Sequence, residues 1–86
     1  MKPPKTSKAE VLYTLINSGS VSIMTFPYLS SFRTRLSDLR LKHGLVIKRT
    51  FKTKLNKFKN PYTYTVHRLE KSQIEKAIKI YNEINT

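Results

Sequence analysis

The run from Phe32 to Ile47, FRTRLSDLRLKHGLVI, constrains the fold more than any other part of the chain. At ~100° per residue it predicts a short helix on which Phe32, Leu36, Leu39 and the body of His43 share one narrow sector. Ser31 stands where an N-cap belongs. Gly44 stops the helix in the left-handed region, Leu45 folds back on Leu39, and a strand begins at once. Arg33, Ser37 and Arg40 gather on one flank, with Thr34 and Leu41 a little further round. One side of this helix therefore locks into a core while the other presents guanidinium and hydroxyl groups outward.

The totals set the frame. Eighty-six residues suit one small domain, and a chain this size buries only roughly 60–65% of its unfolded surface, so every helix must bring an apolar face. With no cysteine, disulfides and thiolate zinc sites are excluded. The densest apolar run, Val11 to Ile16, is interrupted by polar residues; neither a membrane span nor a secretory leader is expected, and a cytoplasmic location follows. Charge is the second strong clue. Seventeen lysines and arginines face five acids, and no acid lies between Asp38 and Glu70. A solvated face usually mixes signs, so the asymmetry points to an anionic partner, nucleic acid first, with an acidic lipid or protein as alternatives. A lysine-rich proteome is the plainer explanation for part of it.

Along the chain, residues 1–6 read as a flexible basic arm carrying Pro3 and Pro4. Ser7-Lys8-Ala9-Glu10 has the form of a capping box that opens a helix to about Ser18, with Val11, Leu12, Leu15 and Ile16 buried and Gly19 as its stop. Val21 to Ile23 reads as a short edge strand. A stubby helix over about Phe26–Leu29 follows, capped by Thr25, with Pro27 tolerated in its first turn. After the helix from Ser31 to His43, strands are expected over Leu45–Phe51 and Tyr62–Leu69, joined by a basic ten-residue tip, Lys52 to Pro61. Ser72-Gln73-Ile74-Glu75 repeats the capping box. The last helix carries Ile74, Ala77, Ile78, Ile80, Tyr81 and Ile84 within an arc of ~160°.

This order of helix, strand, helix, helix, hairpin and helix resembles the small winged helix-turn-helix proteins of phages and mobile elements. The likeness is sharpest in Arg33-Thr34-Arg35-Leu36-Ser37-Asp38-Leu39 and Gly44-Leu45-Val46-Ile47, with Tyr64-Thr65-Val66 similar to a returning wing strand. The resemblance implies an α+β winged helix-turn-helix over residues 7–69, a three-helix core with a β-hairpin wing. Residues 70–86 add a C-terminal amphipathic helix, either packed on the domain or dimerising. It also implies sequence-directed binding of double-stranded DNA by a transcriptional regulator or architectural factor. Two departures stand out: the second helix is very short and carries Pro27, and the last helix lies outside the minimal domain.

On that reading Arg33, Thr34, Ser37 and Arg40 are the residues for base readout, because arginine pairs bidentately with guanine and a hydroxyl serves several base edges. Lys48, Arg49, Lys52, Lys54, Lys57 and Lys59 are the wing residues for the DNA backbone or minor groove. Asp38 and Lys42, four apart, read as an intrahelical pair. Leu55 and Phe58 are expected to pack the wing onto the domain, with insertion against a sugar or base step as the alternative. Tyr13, Tyr28, Tyr62 and Tyr64 read as core or rim residues. Catalysis finds no support: the acids Glu10, Asp38, Glu70, Glu75 and Glu83 are scattered, His43 and His67 have no metal spacing, and two glycines make no phosphate loop. No cofactor, membrane or small-molecule ligand is expected. Two competing readings are an interaction or assembly module, with a homodimer through Ile74, Ala77, Ile80, Tyr81 and Ile84, and a nonspecific nucleic-acid binder.

Overall fold

Thr6, not Ser7, caps the first helix. In the computed structural model, which describes residues 2–22, 24–26, 29 and 31–85, Thr6 is extended and its hydroxyl accepts the Ala9 N–H at 3.2 Å. Ser7 is therefore the first residue of α1 (Ser7–Ser18) rather than its cap. Gly19, at φ 79°, ends α1 and donates its N–H to the Leu15 carbonyl at 2.9 Å. The short β1 (Ser20–Ser22) follows directly. Thr25 then turns the chain, its hydroxyl accepting the Ser22 N–H at 3.0 Å. The stubby helix expected over Phe26–Leu29 includes Pro27 and Tyr28, which lie outside the described residues. At its ends, the Leu29 N–H donates to Phe26 O at 3.0 Å and the Phe32 N–H to Leu29 O at 3.3 Å.

The second helix, α2 (Phe32–Leu41), buries Phe32, Leu36 and Leu39, the stripe expected from the spacing. It ends two residues short of His43, because the Leu45 N–H reaches back to Leu39 O (3.1 Å) and Gly44 adopts φ 67°. Ser31 occupies the N-cap position but makes no side-chain capping bond. His43 is half-buried, its Nε2 lying 3.3 Å from Lys8 Nζ.

Both long strands run further toward the tip than expected, while the first begins at Ile47 rather than Leu45, because the N–H groups of Leu45 and Val46 are taken by Leu39 O and Gln73 Oε1. β2 (Ile47–Leu55) and β3 (Pro61–Leu69) leave a tip of residues 56–60, half the expected loop. Lysine is a weak strand former alone, but Thr50, Phe51 and Thr53 pair with Val66, Thr65 and Thr63, and these cross-strand partners extend the ladder. The sheet is antiparallel in the order β1-β3-β2. From Lys48 outward β2 is exposed at every position, so the outer hairpin projects and the molecule measures 44 × 26 × 21 Å.

A 3-10 turn at Lys71–Gln73 leads into α3 (Ile74–Ile84). Ser72 lies inside that turn, so the second S-x-x-E string does not cap the helix. Gln73 instead accepts the Val46 N–H at 3.3 Å, tying the turn to the start of β2. Ala77, Ile80 and Tyr81 are buried, with Ile74 and Ile84 packed against the same core, so the face weighed for a dimer contact is taken up by the chain's own interior. That core also gathers Leu12 and Leu15 of α1, Leu36 and Leu39 of α2, and Ile47 and Leu69 of the sheet. Tyr13 and Tyr81 rings meet at 5.8 Å and 45°.

The basic arm is tied down where it was expected to be flexible. Asn85 Oδ1 accepts the Lys5 N–H at 2.7 Å, Asn85 Nδ2 donates to Pro3 O at 2.9 Å, and the Tyr81 hydroxyl donates to Lys2 O. Burial, and then the neighbouring Tyr13, pushes the Tyr81 hydroxyl above its ordinary pKa, which keeps it a donor.

Candidate functional site

Register in the hairpin divides its side chains into two rows, because directly opposed residues share a face and neighbours along a strand do not. One row starts in the core at Ile47 and Leu69 and runs outward through Arg49 opposite His67, Phe51 opposite Thr65, Thr53 opposite Thr63, and Leu55 opposite Pro61. The threonine hydroxyls of residues 53 and 63 lie 3.4 Å apart, consistent with a shared face. The other row sets Lys48 opposite Arg68, Lys52 opposite Tyr64 and Lys54 opposite Tyr62. The wing cations expected to act as one set are therefore split, with Arg49 on the α2 side and Lys48, Lys52 and Lys54 on the reverse.

Between α2 and the first row lies a cleft of about 500 Å³. Arg33, Leu36, Ser37 and Arg40 form its helical wall; Arg49, Thr65 and His67 form its sheet wall. Phe32 anchors the junction, its ring 5.8 Å from the His67 imidazole at 73°, an edge-to-face contact, and 5.5 Å from Phe26. Tyr62 and Tyr64 belong by alternation to the reverse row, yet they border the cleft, where β1 no longer covers the edge of β3. Tyr62 Oη lies 3.8 Å from Met24 Sδ, and the two tyrosine rings are 6.2 Å apart.

Among the described residues no carboxylate lines the cleft. Asp38 points elsewhere, to Arg35 (3.5 Å) and Lys42 (3.7 Å), the latter the intrahelical pair expected from the sequence. Glu70 takes Lys48 at 2.7 Å. None of these ion pairs engages Arg33, Arg40 or Arg49. The consequence registers on His67: burial first, then the positive charges of Arg49, Arg40 and Arg33, hold its pKa below the ordinary 6.5. A neutral imidazole thus sits among three permanent cations, and an anion entering the cleft would favour its protonation.

Of the base-readout residues expected from the sequence, Arg33, Ser37 and Arg40 come together in the cleft, while Thr34 is exposed but does not line it. Lys48 lines a separate depression on the reverse of the sheet, beside Ile16, Gly19, Arg68 and its partner Glu70. Lys57 and Lys59 stand at the tip. Leu55 and Phe58 do not pack the hairpin onto the domain; both are exposed. Sequence reasoning missed His67, Thr65, Tyr62 and Tyr64 as cleft residues. The alternation of β3 was visible, but which row faces α2 depends on register with β2. Among the described residues no three histidine or carboxylate side chains gather where they could hold a metal ion, and no helix is long and apolar enough to cross a membrane. No protein-family model, curated protein or solved structure matches this chain.

Proposed function

We propose that this α+β fold is a winged helix-turn-helix that binds duplex DNA, with α2 in the major groove and the hairpin as its wing. The observation that carries the reading is the convergence of Arg33, Arg40 and Arg49, from two elements, on a cleft with no acid among its described residues. Guanidinium groups gathered in this way repel one another, and a polyanion relieves that cost. Arg33 and Arg40, exposed on one flank of α2, pair with guanine edges, with Ser37 between them as a hydroxyl donor or acceptor. Thr34, further round the helix, contacts the sugar–phosphate wall. Arg49 holds the phosphate nearest the helix–sheet junction. Lys52, Lys54, Lys57 and Lys59 neutralise flanking phosphates, and Lys48, already paired with Glu70, contributes least. A transcriptional regulator or architectural factor of the phage or plasmid type is the role this suits.

The test begins with duplexes selected from a random pool, followed by anisotropy titrations on the selected and a scrambled duplex at several salt concentrations. Arg33→Ala and Arg40→Ala should each cost about 1–3 kcal/mol on the selected duplex and much less on the scrambled one. Lys54→Ala and Lys57→Ala should weaken both alike and lower the salt slope by about 1 each. Equal losses on the two duplexes from the helix substitutions would refute base readout.

A further inference from the structure

The outer hairpin carries an apolar row that neither the core nor the cleft uses. Phe51, Leu55 and Phe58 are 71%, 63% and 72% exposed. Phe51 and Leu55 continue the row that begins with Arg49 and His67, so they point to the same side as the arginine cleft. Phe58 follows in the tip, and that tip is built rather than loose. Asn56 Oδ1 accepts the N–H groups of Phe58 (2.9 Å) and Asn60 (3.0 Å). The Asn56 N–H donates to Asn60 O, and the Lys59 N–H to Asn56 O, each at 2.9 Å. Lys59 takes the left-handed conformation, φ 63°, that closes the turn.

Large apolar side chains held out on a rigid tip lose free energy to water unless something covers them. Three constraints identify the cover. Lys57 and Lys59 flank Phe58 in the tip, Lys52 and Lys54 alternate with Phe51 and Leu55 along β2 on its reverse face, no acid lies among them, and Lys57 Nζ is 5.1 Å from the Phe58 ring centre, so the occupant is anionic as well as apolar. A second copy of the same hairpin would bring like charges together. Finally, the row is continuous with the cleft: six residues separate Arg49 from Leu55, roughly 20 Å at ~3.3 Å per residue. A flat anionic membrane would meet the tip alone, whereas one extended polyanion fills both. Half a turn of B-DNA, the step from a major groove to the adjoining minor groove, is ~17 Å.

Resting on the DNA reading above, we infer that Leu55 and Phe58 form a wedge that enters the minor groove half a turn from α2. There they part a base step and kink the duplex. Lys57 and Lys59, beside the wedge in the tip, hold the phosphates flanking the parted step, and the apolar side chains cover the exposed base faces. Pyrimidine–purine steps, the easiest to unstack, would be preferred at that position even though no hydrogen bond reads them.

The experiment uses the full chain and the selected duplex, carrying 2-aminopurine at the step half a turn from the site of α2 and a dye pair at its ends. Wild-type protein should raise the 2-aminopurine fluorescence and the end-to-end transfer efficiency together. Leu55→Ser/Phe58→Ser, at positions already exposed and with its fold verified by circular dichroism, should abolish both signals and weaken binding by roughly tenfold. Arg40→Ala should weaken binding while the complex that still forms keeps both signals. Binding without unstacking or bending overturns the wedge and leaves the DNA reading standing; absence of binding to any duplex overturns both. Stronger dependence on Leu55 and Phe58 for vesicles of phosphatidylserine than for duplex would also overturn the wedge, in favour of a membrane surface.

Discussion

Asn85→Ala should show how much of this fold depends on the clasp between its arm and α3. Asn85 is 6% exposed and makes three side-chain hydrogen bonds, to Lys5 N–H, Pro3 O and Tyr81 Oη. Each such bond contributes about 0.5–1.5 kcal/mol net. Lys5 and Pro3 are exposed and recover water when released, and the Tyr81 hydroxyl keeps its bond to Lys2, so the loss falls near the middle of the sum. Lys2 stays held by Tyr81 and the proline rings keep Pro3 and Pro4 stiff, so release frees Lys5 alone and returns about 1–2 kcal/mol of backbone entropy, which trims the loss further. The expected destabilisation is therefore about 2 kcal/mol, or a fall in Tm of roughly 8–16 °C for a domain of this size. Thermal unfolding by circular dichroism reads the first quantity, and amide exchange at Lys5 reads the cause. Asn85→Asp, which loses both donors and sets a buried carboxylate against the Pro3 carbonyl, should cost at least as much as alanine. A Tm within 2 °C of wild type, or unchanged protection at Lys5, would refute the clasp as a structural part.

Other perturbations probe the site and the core. His67 has a folded pKa below its unfolded value of 6.5, so its contribution to stability is present above pH 6.5 and is lost as pH falls through the depressed folded value. Phosphate in the cleft would reverse that depression, so DNA binding takes up a proton and affinity should rise as pH is lowered from 8 through this range. His67→Gln should flatten the profile in anisotropy titrations, and a slope surviving that change would exclude His67 as its source. Leu39→Ala, at a fully buried position, should cost about 2–5 kcal/mol by urea unfolding. Lys48→Ala should change stability by no more than about 1 kcal/mol and DNA affinity less than Arg49→Ala does, since Lys48 is an exposed cation already paired with Glu70. Equal affinity losses for the two would show that the Glu70 pair does not withhold Lys48 from the DNA.

What could be read from the residues alone was what local spacing encodes. Phe32, Leu36 and Leu39 at helical intervals, closed by Gly44, define α2 and its arginine flank without reference to anything distant. The broad apolar arc of α3 likewise announces an amphipathic helix, though not whether its own domain or a second copy covers it. The rest depended on partners far along the chain. Lys52 and Lys54 give no strand signal, and they become strand only because Tyr64 and Tyr62 lie opposite. Asn85 grips residues about eighty positions away, a contact that leaves no periodic trace. His67 sits among arginines because register places it opposite Arg49. Leu55 and Phe58 look like packing residues by composition, and their projection from a rigid tip is a property of hairpin length.

Strand β2 lies at one rim of the sheet, and its outer backbone groups face outward as an open template for another strand. Nine residues is long for such a rim, and Lys48, Lys52 and Lys54 are what discourages a neighbour from adding to it. That protection is electrostatic, so it weakens with ionic strength: near 1 M salt the Debye length shrinks to ~3 Å. Concentrated salt, the ordinary means of stripping a polyanion from a basic protein, thus removes at one stroke both the bound ligand and the force that keeps exposed edges from meeting. Handling the free protein will accordingly favour dilute solutions of modest salt, where its own surplus of charge preserves solubility.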